Sequence, residues 1–313
     1  MKNINDTPKT LLEAIKFFAN YENCKRYMMA ARWPDGVVRC PQCNSDHVTY
    51  LENARVWKCY GNHPRPKFSL KVGTIFEDSS LPLEKWLPAV WLLANCKNGI
   101  SSYELHRALG VTQKSAWFML HRIRKAMYST SFKKLAGEVE VDETFIRGKA
   151  RNMHKEKREA CITGTGGKDK TAVMGFLKRG GPVQATVIAD RRKRTLQGLV
   201  KSRVAAGSAL YTDALASYDG LEGEFFHQVV DHAVEYVNGN VHTNGLENFW
   251  SLLKRGLKGT YVSVAPYHLF RYLDEQTFRY NQRKADDLAR FVAVLATVIN
   301  RRLTYKKLIG VTV

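Results

Sequence analysis

Three acidic residues stand in apolar or alternating surroundings that give an isolated charge little reason to be there. Asp142 follows Val141 on an alternating segment that opens with Glu138-Val139-Glu140 and runs on through Glu143, Thr144 and Phe145. Asp213 closes the short apolar run Ser208-Ala209-Leu210-Tyr211-Thr212. Glu247 comes 34 positions later (247 − 213), bordering an apolar helical stripe of Leu246, Phe249, Trp250, Leu253 and Leu257 and expected to be turned from open solvent. Lys254 lies two helical turns past Glu247 on the same face, with Arg255 beside it. Carboxylates brought together beside a lysine suit phosphodiester chemistry. They hold two divalent cations roughly 4 Å apart, one activating an attacking hydroxyl and the other stabilising the leaving oxygen, while Lys254 and Arg255 hold nucleic-acid phosphate.

A second constellation suits a different metal. Cys40 and Cys43 form Cys-x-x-Cys around Pro41-Gln42, and Cys59 and His63 follow. Two pairs of such ligands describe a zinc ribbon, in which structural Zn2+ contributes on the order of 10 kcal/mol to a module too small to stabilise itself. The usual ribbon ends in a second Cys-x-x-Cys, so His47 stands as a substitute for His63. Cys24, Cys96 and Cys161 lack partners at metal-binding spacing and read as core cysteines. This usage fits metal in a reducing compartment better than a disulfide framework.

The scaffold that must position these groups divides into five segments. Residues 1–30 form an N-terminal helical segment, with Thr10 and Glu13 in capping-box spacing and no signal-peptide pattern. Residues 31–80 carry the ribbon and a linker. Residues 81–130 read as helical: Leu83, Leu87, Val90, Trp91 and Ala94 mark an amphipathic helix, a second runs from Ser101 to Gly110, and a third opens at Thr112. The last two give a helix-turn-helix, whose third helix would offer Gln113, Lys114, Ser115, Arg122 and Lys125 to bases and phosphates of DNA.

From Gly137 the period changes from helical to alternating. Residues 137–285 are expected to form an α/β (α+β) catalytic domain. A three-strand antiparallel unit turns at Arg179-Gly180-Gly181, a helix spans about 194–204, and a further helix carries Glu247. Residues 286–313 read as a helical, basic tail. Gly164-Thr165-Gly166-Gly167-Lys168 suggests a phosphate loop, but Asp169 stands where Ser or Thr is required, so no nucleotide cofactor is implied.

Composition narrows the partners. The chain of 313 residues has 49 Lys and Arg against 29 Asp and Glu, a net charge of +20 that attracts a polyanion, and nucleic acid leads. The longest apolar runs fall short of the roughly 20 residues that cross a bilayer, so no membrane partner is expected and the location read is cytoplasmic, at the nucleoid.

The motifs Val141-Asp142-Glu143-Thr144, Tyr211-Thr212-Asp213 and His242-Thr243-Asn244-Gly245-Leu246-Glu247-Asn248-Phe249-Trp250-Ser251-Leu252-Leu253-Lys254-Arg255 resemble the Asp-Asp-Glu (DDE) transposases of bacterial insertion sequences, of the ISXO-two-like group. Gly73-Thr74-Ile75-Phe76-Glu77-Asp78-Ser79 resembles that family's linker motif, and Gly99-Ile100-Ser101 and Ala116-Trp117 match as well. The resemblance covers about 32–283. It implies a ribonuclease-H-like mixed-sheet catalytic domain after a zinc ribbon and helix-turn-helix. It also implies Mg2+ or Mn2+ held by Asp142, Asp213 and Glu247, and Lys254 as the basic residue after the third ligand. Asn244, one turn before Glu247, is the alternative third ligand. The partners it implies are double-stranded DNA, as element ends and target, and further copies of the chain, at least a dimer on DNA. Two other readings stay open at this point: a DNA-binding regulator that no longer cuts, and a nuclease of the same fold that hydrolyses without joining.

Overall fold

The computed structural model describes residues 7–128, 133–146, 155–156, 170–230 and 242–309. It divides the chain into two compact units, Met1–Tyr128 with Lys284–Val313, and Ser129–Arg283. Cys161 and the 164–169 loop lie outside the described residues.

The first unit begins with α1 (Leu11–Phe18), capped by the Thr10–Glu13 box, and α2 (Tyr21–Arg32), capped by Asn20. Three short strands follow as an antiparallel sheet in sequence order: β1 (Val48–Leu51), β2 (Val56–Cys59) and β3 (Lys67–Phe68). Helix α3 (Leu83–Asn95) is not amphipathic as expected, because Leu83 and every residue from Trp86 to Ala94 is buried. Helix α4 (Ser102–Leu109) has the Ser101–Glu104 capping box and ends on Gly110 in the left-handed conformation. Helix α5 (Gln113–Met127) is capped by Thr112, whose side chain accepts from the Ser115 amide.

The second unit is built on one mixed sheet. β4 (Glu138–Ile146), β5 (Thr171–Lys178) and β6 (Val183–Ile188) form an antiparallel meander. Helix α6 (Lys193–Arg203) then carries the chain over to β7 (Ala209–Asp213), which runs parallel to β4, and β8 (Phe226–Val230) pairs parallel to β7. The order is β6-β5-β4-β7-β8, so β4 lies at the centre. Strand alternation sends successive side chains to opposite faces. Val139, Val141, Met174 and Phe176 pack with Leu196 and Val200 of α6 on one face. On the other, Val173 and Leu177 meet Leu246, Phe249, Trp250 and Leu253 of α7 (Asn244–Gly256), with Leu269 and Leu273 of α8 (Leu269–Asn281).

After Lys284 the chain belongs to the first unit, as α9 (Asp287–Leu295) and α10 (Tyr305–Leu308). This segment is not a free-standing tail. Phe291 packs its ring 5.3 Å from Trp91 and 5.2 Å from Phe18, which explains why α3 has no wet face. Farther on, the Ile75 amide donates to Val298 and the Asn300 amide to Gly73, so the C-terminal stretch clasps the Gly73–Ser79 motif. Among the described residues no helix is long and apolar enough to cross a membrane.

Candidate active site

The parallel pairing of β4 with β7 sets the first two carboxylates side by side. The ladder runs from Glu138↔Ala209 to Glu140↔Tyr211, an offset of 71 that carries Asp142 onto Asp213 just beyond the last pair. Asp142 stands midway along β4 and Asp213 at the end of β7, where open α/β sheets expose functional groups. Asp142 shares the α7 face of the sheet with Glu140, two residues back.

Helix α7 is held on that face by two contacts with β4. The buried Glu140 carboxylate accepts the Leu246 amide at 3.0 Å, and the Trp250 indole N–H donates to Asp142 Oδ2 at 2.9 Å. Two strand residues advance about 6.7 Å and four helical residues about 6 Å, so both bonds form without slippage between strand and helix. Glu140 supplies what Thr243 does not, because the N-cap side chain makes no capping bond. Arg179 balances the buried charge: its Nε donates to Glu140 at 3.1 Å and its Nη2 to the His242 carbonyl at 2.8 Å.

Close approach requires two glycines. Gly175 is the register partner of Asp142 on β5, and a Cβ there would stand 2.6 Å from the Trp250 ring. A Cβ on Gly245 would stand 2.4 Å from Leu177 and 2.7 Å from Glu140. Both absences of side chain set the depth of α7. Neither Glu140 nor Gly175 was marked by sequence reasoning. The signal for Glu140 was its two-residue spacing from Asp142; the Gly175 role depends on a cross-strand partner that sequence does not reveal.

Between β4 and α7 runs a groove of about 610 Å³, walled by Asp142, Glu143 and Thr144 on one side and by Glu247, Trp250, Lys254 and Arg255 on the other. Burial and the nearby charges of Asp213 and Glu247 push Asp142 up to about 6, against the lowering effect of the Trp250 bond. Glu143, on the opposite face of β4, receives the Tyr218 hydroxyl and is pushed up to about 8 by burial and by Asp213 and Asp142. Glu247 is exposed at the groove rather than turned from solvent as expected, because Leu246, Phe249 and Trp250 occupy the sheet side of the helix. Asn244 is also exposed, but the groove walls do not include it.

In the first unit Cys40, Cys43, Cys59 and His63 bring one ligand atom each within 4.8 Å of one another, the only group so gathered among the described residues. The Gly61 amide donates to Cys59 Sγ at 3.2 Å, and a Cβ at Gly61 would stand 2.9 Å from Cys43 Sγ, so the cradle is closely fitted. His47 instead stacks on Tyr60, ring centroids 4.8 Å apart.

Of the residues assigned to the DNA face of α5, Arg122 is corrected by its burial, and Lys125 is engaged with the C-terminal stretch. Arg122 is buried, its guanidinium donating to the carbonyls of Leu303 and Glu77. Lys125 donates to the Arg302 carbonyl. Both serve the C-terminal stretch that covers this side of the helix. Gln113 is half-buried against Ser102, whereas Lys114 at the first turn is exposed with Ser115 beside it.

A mixed sheet with carboxylates aligned on adjacent parallel strands, in a chain that also carries a Cys3His ribbon, is the fold of a DDE transposase. Residues 134–281 match the family model of the ISXO2-like transposase domain, and residues 19–61 match the transposase zinc-ribbon domain, a span ending two residues before His63. An "Uncharacterized protein in transposable element ISH50" of Halobacterium salinarum is 28% identical over 254 residues, 78% of this chain and 85% of the relative. An "Uncharacterized transposase-like protein" of Haemophilus influenzae is 31% identical over 100 residues, 32% of this chain and 80% of the relative. The chain belongs to the ISXO2-like transposase family.

Proposed function

We propose that the protein binds the terminal inverted repeats of an insertion sequence and catalyses metal-dependent cleavage and transfer of the DNA strand. The observation that carries this is the register of β4 and β7, which aligns Asp142 with Asp213 at the end of β7, while Asp142 faces Glu247 and Lys254 across one groove. The donor set fits Mg2+ or Mn2+, because its ligands are hard oxygens. Burial first, and then the charges of Asp213 and Glu247, raise Asp142, and bound cations would offset both.

Asp142, Asp213 and Glu247 are the ligands in this reading. Glu247 is preferred to Asn244 because it stands on the groove wall and carries a charge. Bound there, the cations supply Lewis-acid activation of the attacking oxygen and stabilisation of the leaving one. The chain's own groups do the rest. Trp250 orients one oxygen of Asp142, Glu140 and Arg179 fix the helix that presents Glu247, and Lys254 and Arg255 hold the phosphates on either side of the reacting bond. The ribbon, with structural Zn2+, and the first turn of α5 at Lys114 bind the element end. Two ends must meet before transfer, so the working form on DNA is at least a dimer.

The test is a labelled duplex carrying candidate element ends, incubated with the protein with and without Mg2+. Cation-dependent cleavage followed by joining to a target plasmid is expected. Binding without any cleavage would replace the enzyme with a DNA-binding regulator, and cleavage to free ends that never join would replace it with a nuclease.

A further inference from the structure

Beyond Lys254 the helix that walls the groove does not end in an ordinary turn. Leu257–Tyr261 continue it as a π-helical turn, a rare form that concentrates at functional sites. Val262 then takes φ 58° and ψ −55°, which a β-branched residue adopts only when its surroundings impose it. The surroundings are a buried polar strut. Tyr261 donates its hydroxyl to Glu275, which has no exposed surface and also takes the guanidinium of Arg279, while the Tyr261 ring stands 4.7 Å from that of Tyr272. A buried ion pair tolerates little displacement, since separating it leaves an uncompensated charge. The π-turn is therefore tied to a buried ion pair of α8.

What the strut holds in place is Lys258, exposed on the groove wall one turn past Lys254. Arg179, Arg271 and Arg279 of the same unit are each paired with a carboxylate. Lys254, Arg255 and Lys258 have no such ion pair among the described residues, which leaves three cations facing one groove. We propose that Lys258 is a DNA-phosphate contact, with Glu275 acting through Tyr261 as its positioning residue. This rests on the function proposed above. Lys258 lies eleven positions past Glu247 (258 − 247), about 16 Å along the helix. That distance spans roughly four to five nucleotides at about 3.4 Å each, which places its phosphate that far from the bond over the carboxylates.

The experiment measures binding of the full-length protein to a duplex element-end fragment at several salt concentrations without divalent cations. Lys258→Ala lowers the slope of log affinity against log salt by about 0.9, and Lys258→Arg restores it. Tyr261→Phe, with its melting followed in parallel, loses the same increment while staying folded. Neutral methylphosphonates substituted one at a time weaken the wild type at roughly four to five nucleotides from the cleaved bond and leave Lys258→Ala unaffected there. A Lys258→Ala slope equal to the wild type's, alongside a reduced slope for Lys254→Ala, would overturn the phosphate contact and leave the proposed function standing. A Tyr261→Phe protein that melts lower with its slope intact would overturn the positioning role. A wild type whose binding ignores salt would overturn the DNA reading itself.

Discussion

Substitution of Gly175 by Ala strikes the contact that sets the depth of α7. The new Cβ would stand 2.6 and 2.8 Å from two ring carbons of Trp250 and 2.9 Å from Leu246, distances at which something has to move. The indole is rigid and 4% exposed, so it cannot swing into solvent. Either the helix lifts, at an overpacking cost of about 1–3 kcal/mol, or the ring tilts and loses its bond to Asp142, about 1.5–3 kcal/mol for a charged acceptor. Both routes arrive at about 2–3 kcal/mol, which lowers the melting temperature of a unit this size by roughly 5–10 °C. Activity falls further than stability, because a shift of about 1 Å in a reacting group costs about 100-fold in rate. Two comparators isolate the cause. Gly198, inside α6 with nothing within 4 Å of an added Cβ, gains about 0.5–1 kcal/mol from the same change. Trp250→Phe removes the N–H while keeping most of the ring, so it loses activity with a smaller loss of stability. Thermal melting and strand cleavage by the three variants decide the matter. A Gly175→Ala protein that melts and cuts like the wild type would refute the idea that this glycine sets the helix.

Three further outcomes follow from the same geometry. One Zn2+ per chain is expected by elemental analysis, lost in Cys43→Ala and His63→Ala and kept in His47→Ala, whose ring stacks on Tyr60; loss in His47→Ala would move the fourth ligand there. In metal-free protein Asp142 and Glu143 hold their protons more tightly folded than unfolded, so their contribution to stability is full below about pH 4 and is lost as pH rises through about 6 and about 8. The melting temperature therefore falls from pH 5 to pH 8 without cations, and Mg2+ restores more of it at pH 8 than at pH 5; a melting curve independent of both would contradict this. Arg122→Ala, which strips donors from the buried Leu303 carbonyl and the half-buried Glu77 carbonyl, costs about 1–3 kcal/mol without changing the salt slope of DNA binding, whereas Lys114→Ala lowers the slope and leaves melting unchanged. The opposite pattern, read from melting and binding isotherms, would return Arg122 to the DNA face.

Local signals carried far in this sequence, and distant ones did not. The Ser101–Glu104 box, Gly110 and Thr112 gave the boundaries of α4 and α5 because a cap is decided within four residues. The Cys3His group was readable for the same reason, its ligands falling on two short turns. Glu143 and Glu140 were present in the alternating run but unreadable as partners, since one answers to Tyr218 and the other to Leu246, more than seventy residues away. Arg122 looked like a phosphate ligand because no acidic residue stands near it in sequence. Its guanidinium instead donates to the Leu303 carbonyl, from the far end of the chain. The same distant segment turned the expected amphipathic α3 into a helix buried on every side.

The most direct test of the groove as a cutting and joining centre is the yield of joined product from labelled element ends with Mg2+. Wild type is compared with Asp142→Ala, Asp213→Ala, Glu247→Ala and Asn244→Ala, with DNA binding measured for each. The geometry predicts that the first three lose joining and keep binding, while Asn244→Ala retains both. Joining that survives in Asp142→Ala or Asp213→Ala would contradict the account, and an active Glu247→Ala with an inactive Asn244→Ala would move the third ligand one turn toward the start of the helix.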